Sequence, residues 1–223
     1  MPTDLNLKID DSLEADFPGL QARLREINGV TVRKTSTELE ALKQSIVVEI
    51  RSKHTLQTVK DAPNLRAYRD FFWRVGIDPT KIRPAAEALI RRILADKPIP
   101  NINTLVDAYN LASIKTEIAL AAFDLRHLVG HLTMRKARAG ESFLGIGMGQ
   151  AMQLKGDEIV VADEEKLIAV YPYRDADSSK VTESTRNLML MTCGCPGIDE
   201  TLLSRAEQVA LELILRFCNG TSQ

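Results

Sequence analysis

The sequence predicts an α+β fold in which a layered sheet is covered by helices. Apolar residues recur at helical spacing within residues 1–115, whereas residues 131–193 form a series of short segments rich in β-forming residues. A last helical pattern spans residues 199–217. This order is typical of a layered α+β domain. Since no Pro- or Ser-rich linker divides residues 1–223, we expect a single domain.

The N-terminal helical part, residues 1–115, contains four predicted helices. They cover residues 36–52, residues 63–75, a segment that begins at Pro84 and ends before Pro98, and residues 103–112. The helix at 63–75 is expected to bury one stripe, formed by Leu65, Tyr68, Phe72 and Val75. The helix after Pro84 is expected to bury Ala86, Leu89, Ile90, Ile93 and Leu94.

The β-rich part, residues 131–193, contains five predicted strands, which are expected to form a sheet. They span residues 131–137, 142–146, 158–162, 167–173 and 187–193. The closing helix is expected to pack on this sheet through an apolar stripe formed by Leu202, Ala206, Val209, Leu213 and Phe217.

Composition places the chain among cytoplasmic globular proteins. Hydrophobic residues make up 44% of the sequence, and no apolar run approaches the roughly 20 residues that cross a bilayer. Residues 1–10 have no signal-peptide pattern. The three cysteines are too few, and odd in number, for a disulfide framework. We therefore expect a cytoplasmic protein without a membrane partner.

The net charge argues against binding to nucleic acid by overall charge. The sequence has 29 Lys and Arg residues against 30 Asp and Glu residues, which gives a net charge of −1. Proteins that hold nucleic acid by charge alone usually carry a marked basic excess. No DNA partner is expected, and any contact with RNA must depend on a local basic patch.

Three motifs that often bind ligands are interpreted as structural. The segment GIGMGQ at 145–150 is followed by a hairpin-like return instead of a helix, which favours a glycine-assisted turn over a phosphate loop. Cys193-Gly-Cys195 lacks further zinc ligands at a recognisable spacing, which favours structural thiols. His127 and His131 are separated by a glycine and precede β-forming residues, which argues against a chelating pair. We expect no metal and no cofactor.

Basic and aromatic residues alternate between positions 66 and 92. The basic residues are Arg66, Arg69, Arg74, Lys81, Arg83, Arg91 and Arg92, and the aromatic ones are Tyr68, Phe71, Phe72 and Trp73. Arginine beside aromatic rings suits single-stranded RNA, because guanidinium groups bind phosphates and rings stack on bases. The alternative is that the aromatic rings belong to the core and the arginines to a solvated helix face, where they pair with Asp70, Asp78 and Glu87.

Short motifs in the second half of the chain resemble those of a known family. Residues 106–110 (VDAYN) resemble the family pattern Val-Asp-x-Thr-Asn, and residues 122–125 (AFDL) resemble His-Ala-Phe-Asp-Leu. Residues 158–163 (EIVVAD) are similar to Leu-Val-Ile-Ala-Asp, and residues 181–190 are similar to a strand with Val, Thr, Asn and Leu in this order. Together they resemble the B-three/B-four editing domain of the phenylalanyl-tRNA synthetase beta subunit. Residues 71–94 resemble a signature of freestanding members.

The resemblance implies a ligand pocket whose chemistry differs from that of the synthetases. The family's pocket His corresponds to Ala121, its Glu to Met191 and its Thr to Tyr109, while its Asn is kept as Asn110. Neither an alanine nor a methionine can shuttle protons. With Thr192, these residues are expected to surround one cavity. Tyr173, Arg174 and Asp175 are expected at its rim, with Arg174 binding a carboxylate or phosphate or else pairing with Asp175 or Asp177.

The function that the resemblance implies is tRNA binding. In the synthetases the domain hydrolyses tyrosine wrongly attached to phenylalanine tRNA. For this chain two hypotheses follow: a trans-acting aminoacyl-tRNA deacylase, or a non-catalytic module that binds tRNA, an amino acid or an aminoacyl end. An unrelated metabolic role on the same fold is the remaining alternative. The residues expected to contact the tRNA backbone, near the positive end of the helix that follows Pro84, are Lys81, Arg83, Arg91 and Arg92.

Overall fold

A computed structural model describes residues 6–222, which form six α-helices and eleven β-strands. Half of the N-terminal segment 1–10, considered above for a signal peptide, therefore lies outside the described residues. The helices are α1 (Asp11–Asp16), α2 (Thr37–Lys53), α3 (Pro63–Arg74), α4 (Ala85–Leu94), α5 (Thr104–Thr116) and α6 (Glu200–Cys218). The strands are β1 (Leu7–Ile9), β2 (Ala22–Asn28), β3 (Ala119–Asp124), β4 (Leu132–Lys136), β5 (Ser142–Phe143), β6 (Met152–Gln153), β7 (Ile159–Ala162), β8 (Leu167–Val170), β9 (Arg174–Asp175), β10 (Leu188–Cys193) and β11 (Thr221–Ser222).

Two main sheets form the centre of the molecule. One has five strands in the order β1-β4-β7-β8-β9, and the other has four strands in the order β11-β2-β10-β3. In the four-stranded sheet β10 pairs antiparallel with β2 on one side and β3 on the other, over all six of its residues. The β5–β6 hairpin forms a separate two-stranded sheet.

The four-stranded sheet is covered on both faces. One face, which includes Leu120, Leu188 and Leu190, shares a core with α2, α4, α5 and α6. The opposite face, which includes Ala121 and Met191, shares a second core with the five-stranded sheet, α1 and α3. Every residue of β3 and β10 is buried. The result is a stack of layers with the β3–β10 pair at its centre.

The predicted helices are confirmed, with small shifts at their ends. The expected stripe of α3 is buried, from Leu65 to Val75. Pro84 lies one residue before α4 and acts as its N-cap residue. Asn103 caps α5, because its side chain accepts hydrogen bonds from the backbone N–H groups of Leu105 and Val106.

The strand prediction was incomplete in two respects. The first 115 residues, predicted to be helical, also contribute β1 and β2, and the predicted strands of residues 131–193 are divided between different sheets. The sequence of β2 shows no clear alternation of polar and apolar residues. The reason is that Arg23 and Arg25 point to α6, where both bind the buried carboxylate of Glu207. The prediction that 131–193 forms one sheet was therefore wrong, since β10 pairs with β2 and β3.

The predicted stripe of the closing helix was also displaced. Ala206 and Phe217 are buried as expected, but Leu202, Val209 and Leu213 are only half-buried. The centre of the buried face is instead formed by Leu203, Ala206, Ala210, Ile214 and Phe217. Apolar residues adjoin each other along this helix, so periodicity alone did not distinguish the two choices. The layer assignment itself, with α6 packed on a sheet, is confirmed.

Two neighbouring leucines of α6 provide a matched test of this packing. Replacing Leu203, which has no exposed surface, with alanine should lower the free energy of unfolding by about 2–5 kcal/mol, because it leaves a cavity in the core. The same change at half-buried Leu202 should cost less than about 2 kcal/mol. Urea unfolding monitored by circular dichroism measures both, and a larger loss at Leu202 would contradict the assigned face.

Candidate functional site

A cavity of about 100 Å³ lies where the two main sheets meet, beside the end strand β3. Its walls come from α4, β3, the segment 169–175 and β10. The lining residues are Ala85, Ala119, Leu120, Ala121, Ala169, Val170, Tyr171, Pro172, Tyr173, Arg174, Asp175, Met191 and Cys193. This volume is well below the roughly 300–1,000 Å³ of pockets that hold drug-sized ligands. Only a small part of a ligand fits.

Asp175 is the acidic side chain of the cavity. It follows directly after Arg174 in the short strand β9, and it is half-buried. Within residues 6–222 no side chain or backbone group donates a hydrogen bond to its carboxylate. Removal from water raises the pKa of this carboxyl from its ordinary value of 3.8 to about 7. It therefore changes its protonation state near neutral pH, as functional carboxylates often do.

Arg174 is the basic side chain of the cavity. Its Nη1 donates to the carbonyl of Ile146 at 2.7 Å, and its guanidinium lies 5.1 Å from the centre of the Tyr173 ring. Its aliphatic part passes so close to Gly145 that a Cβ there would lie 2.3 Å from Cδ. The Nε of Arg174 is buried and has no hydrogen-bond acceptor in the part of the chain that the structure describes. A bound ligand can supply that acceptor.

The other polar groups of the cavity are poor nucleophiles. Burial raises the pKa of the Cys193 thiol well above its usual range, and the charge of Asp175 raises it further, so the thiol stays protonated. Burial also raises the pKa of Tyr171, whose hydroxyl donates to the carbonyl of Gly194 at 2.6 Å. Hydrolysis in this cavity would therefore use a bound water as the nucleophile.

Comparison with protein families decides where the chain belongs. A family model described as "B3/4 domain" matches residues 67–219, more than half of the chain. The chain belongs to the B3/4 domain family. The matched region includes every residue that lines the cavity.

Individual relatives are beta subunits of phenylalanine–tRNA ligases. The subunit of Idiomarina loihiensis is 27% identical over 168 residues, covering 65% of this chain and 21% of the relative. That of Fusobacterium nucleatum is 31% identical over 114 residues, covering 51% of this chain and 14% of the relative. This B3/4-domain chain therefore spans about a fifth or less of their length.

A solved structure has the same fold. An N-terminal fragment of the phenylalanyl-tRNA synthetase beta subunit from Pyrococcus horikoshii matches 99% of this chain and 50% of its own, with a TM-score of 0.52 and 11% identity. The predicted fold class, an α+β layered sheet with covering helices similar to this subunit, is confirmed.

The predicted pocket residues are divided between the two faces of the central sheet. Ala121 and Met191 are paired across β3 and β10, and both line the cavity. Thr192 points to the opposite face because side chains alternate along a strand. Tyr109 and Asn110, on α5, do not line the cavity, although the charge of Asp175 helps burial to raise the pKa of the Tyr109 hydroxyl. Of the five residues expected around one cavity, the structure therefore brings Ala121 and Met191 to it and places the other three elsewhere.

The rim prediction placed Tyr173, Arg174 and Asp175 at the cavity, and the structure places all three there. The expected alternative for Arg174 does not occur: within the described residues no ion pair joins it to Asp175 or Asp177, and Asp177 pairs with Lys180 instead. Ala85 and Tyr171 also line the cavity but belong to no motif that the sequence offered, and Cys193 was interpreted only as a structural thiol.

The carboxylates within the family-like motifs have structural partners. Asp107 accepts from the Nζ of Lys43 at 2.7 Å, which links α5 to α2. Burial alone would raise the pKa of Asp124, but hydrogen bonds from Arg126 and Thr185 hold it below its usual value. Asp163 accepts hydrogen bonds from Lys166 and from three backbone N–H groups. The acidic residues of these motifs therefore stabilise the fold, and the motifs carry no information about a reaction.

The predicted RNA contacts differ in their accessibility. Lys81 and Arg83 are exposed and lie four and two residues before Ala85, which lines the cavity. Arg92 donates to the carbonyl of Pro98 from an exposed position. The expectation that Arg91 projects freely was wrong, because its Nε binds the fully buried Glu87 at 2.7 Å.

The histidines, the cysteines and the glycine-rich segment occupy different settings in the fold. His127 and His131 are exposed, the three cysteines are free and buried, and residues 145–150 lie in the loop between β5 and β6. Among residues 6–222, no group of three or more His, Cys, Asp or Glu side chains is arranged to hold a metal ion. In the same range, no helix is both long and apolar enough to cross a membrane.

Arg91 and Arg92 are neighbours on α4, and their substitution compares how much a cation paired with a buried carboxylate and a surface cation contribute to stability. Arg91→Ala should lower the free energy of unfolding by about 1–3 kcal/mol, because buried Glu87 then keeps only Arg69 as a partner. Arg92→Ala should change it by roughly 0.5 kcal/mol or less, as exposed substitutions usually do. Equal effects in chemical denaturation would contradict the buried pair.

Asp175 should make folding stability depend on pH. Its carboxyl binds a proton more tightly in the folded chain, so ionisation lowers stability as pH rises from about 4 to about 7. Asp175→Asn cannot ionise and should raise the unfolding temperature at pH 8 by at least about 2 °C, with little change at pH 4. Thermal unfolding at the two pH values measures this. A variant that is less stable than wild type at pH 8 would show that the ionised carboxylate is favourable in the fold.

Proposed function

We propose that this B3/4-domain protein binds the aminoacyl end of tRNA and hydrolyses the ester of a mischarged one in trans. The observation that carries the proposal is the small cavity lined by two neighbouring charged residues: Arg174, whose Nε has no acceptor among the described residues, and Asp175, whose carboxylate receives no hydrogen bond from them. An aminoacyl ester offers both a carbonyl acceptor and an ammonium donor within a few atoms. We place this activity in the cytoplasm, where three buried free thiols remain reduced.

Hydrolysis needs a positioned water and stabilisation of the oxyanion that forms on the ester carbonyl. Ala85, the first residue of α4, lines the cavity, and the first N–H groups of a helix have no intrahelical acceptor. With Arg174 Nε, these N–H groups are suitable donors to the oxyanion. The missing family His and Glu are thus replaced by charge stabilisation.

A second candidate function is non-catalytic binding of the aminoacyl end. The observation in its favour is that Ala121 and Met191 occupy the positions of the family's pocket His and Glu, so the cavity lacks an imidazole. Both functions need the same cavity. They differ in whether the ester half-life falls when the protein is bound.

The body of the tRNA would lie across the surface next to the cavity. Lys81 and Arg83 are exposed immediately before α4, and the side chain of Trp73 on α3 is 56% exposed, in contrast to the buried aromatic residues beside it. A surface indole is suitable for stacking on an unpaired base, and the two cations are suitable for phosphates. Because the net charge of −1 gives no overall attraction to RNA, contact with RNA needs a local basic patch. In this proposal Lys81 and Arg83 form that patch.

The deacylase proposal is tested with purified protein and a panel of mischarged tRNAs. Wild type should shorten the half-life of at least one ester. Arg174→Lys keeps the charge and the reach to the Ile146 carbonyl but removes the Nε donor, so it should slow that reaction by about 3- to 10-fold. Ester half-lives equal to those without protein across the panel would exclude the deacylase, and a tRNA affinity without hydrolysis would establish the binding module.

The tRNA surface is tested by charge reversal. Changing Lys81 and Arg83 to glutamate should weaken tRNA binding and reduce the slope of log affinity against log salt concentration by about 2. The matched control reverses Lys34 and Arg205, which are equally exposed but lie before α2 and on α6. Filter-binding titrations at several salt concentrations measure both. The same loss in both double variants would mean a non-specific charge effect.

A further inference from the structure

We infer that the Asp175 carboxylate binds the α-ammonium group of a small α-amino acyl substrate, and so selects aminoacylated ligands. The inference rests on the proposed function and adds its substrate class.

Within residues 6–222, each fully buried carboxylate forms an ion pair with a basic side chain of the protein itself. Glu87 binds Arg69 and Arg91, Asp107 binds Lys43, and Glu207 binds Arg23 and Arg25. Asp124 and Asp163 likewise bind Arg126 and Lys166. This matching is expected, because a buried charge without a partner is costly.

Asp175, which is half-buried, has no such cation. No ion pair or hydrogen bond reaches its carboxylate from residues 6–222, and the guanidinium of its neighbour Arg174 is directed to the carbonyl of Ile146. The carboxylate lines the cavity, so a cation that enters the cavity completes the pair. The raised pKa of Asp175 is consistent with a site whose cation is supplied by a ligand.

The cavity limits which cation fits. Its walls include Ala119, Ala121 and Ala169, and its volume is about 100 Å³. An α-ammonium on a small aminoacyl group, as in glycyl, alanyl or seryl groups, suits this small cavity better than a tyrosyl group does.

The test uses a pair of non-hydrolysable probes that differ only at the amino group: 3′-alanylamido-3′-deoxyadenosine and its lactyl counterpart, which has a neutral hydroxyl in place of the ammonium. Calorimetric titration at pH 7.5 should show that wild type binds the alanyl probe about 10- to 100-fold more tightly, the range of one charge-assisted hydrogen bond. Asp175→Asn should remove this preference and leave affinity for the lactyl probe within about threefold of wild type.

The matched control is Asp177→Asn. Asp177 lies two residues away, is paired with Lys180 and does not line the cavity, so this variant should keep the full preference for the alanyl probe. Asp175→Asn is nearly isosteric. A circular dichroism spectrum equal to that of wild type verifies that a lost preference reflects the lost charge.

Each outcome decides the inference. Equal affinity of wild type for both probes, or failure to bind either, overturns it. A preference that Asp175→Asn retains overturns the assignment to Asp175, and an equal loss for both probes in this variant indicates a water-activating or structural role instead.

Titrations with free alanine, and with lactate as the control that lacks an ammonium group, show whether the ammonium is bound without the tRNA. If wild type binds alanine, Asp175→Asn does not, and no tRNA in the panel is bound or deacylated, the ammonium site stands and the proposed function fails. If esters are hydrolysed but the lactyl and alanyl probes bind equally, the proposed function stands and the ammonium site fails.

Discussion

The β3–β10 pair is buried on both faces, and this double burial determines where polar chemistry can occur in the chain. Side chains from one face meet the helices α5 and α6, and those from the other meet the five-stranded sheet. A strand covered in this way admits few charged groups, and the sequences ALAAFD and LMLMTC fit that demand, with Asp124 only at the end. Polar groups reach the interior from the ends of strands and from the connections between them.

The cavity follows from this arrangement. It lies beside the end strand of the four-stranded sheet, where small residues of β3 leave space next to the segment that leads into β9. Tyr171 fixes that segment, because its hydroxyl donates to the carbonyl of Gly194 just beyond β10. Arg174 and Asp175 are thereby half-buried beside apolar walls. Their chemistry differs from that of surface residues for this reason.

Much of the fold could be predicted from the sequence, because helical periodicity and turn residues are local signals. Helices α2 to α6 and the strands β4, β5, β7, β8 and β10 followed from such patterns, whereas α1, β1, β2 and β3 did not. β1 has only three residues, β2 carries charges that meet a partner from α6, and β3 is apolar on both faces. Which strand pairs with which is a long-range property that no local pattern contains.

The site was predicted in part, for a related reason. Matching the family motifs correctly identified Ala121 and Met191, and the polar end of a strand identified Arg174. Tyr109 and Thr192 failed because positions close in sequence to a pocket residue point to the other side of a sheet or lie on a helix behind it. The pairing of arginines with Glu87 was foreseen as the alternative to RNA contact, but its full burial was not: a carboxylate at the start of an amphipathic helix looks exposed until Arg69 and Arg91 are placed around it.

The alanine walls of the cavity also bear on how such a protein diversifies. Ala119, Ala121 and Ala169 belong both to the cavity and to the core between the two sheets. A substitution that reshapes the space for a different side chain therefore alters packing in the centre of the molecule. A larger side chain at one of these alanines fills part of the cavity and favours a more compact core. A smaller side chain at a neighbouring residue enlarges the cavity and loosens the core. Ligand preference and thermal stability are therefore coupled at these positions. Evolution of a preference for bulkier ligands requires compensating substitutions elsewhere in the core.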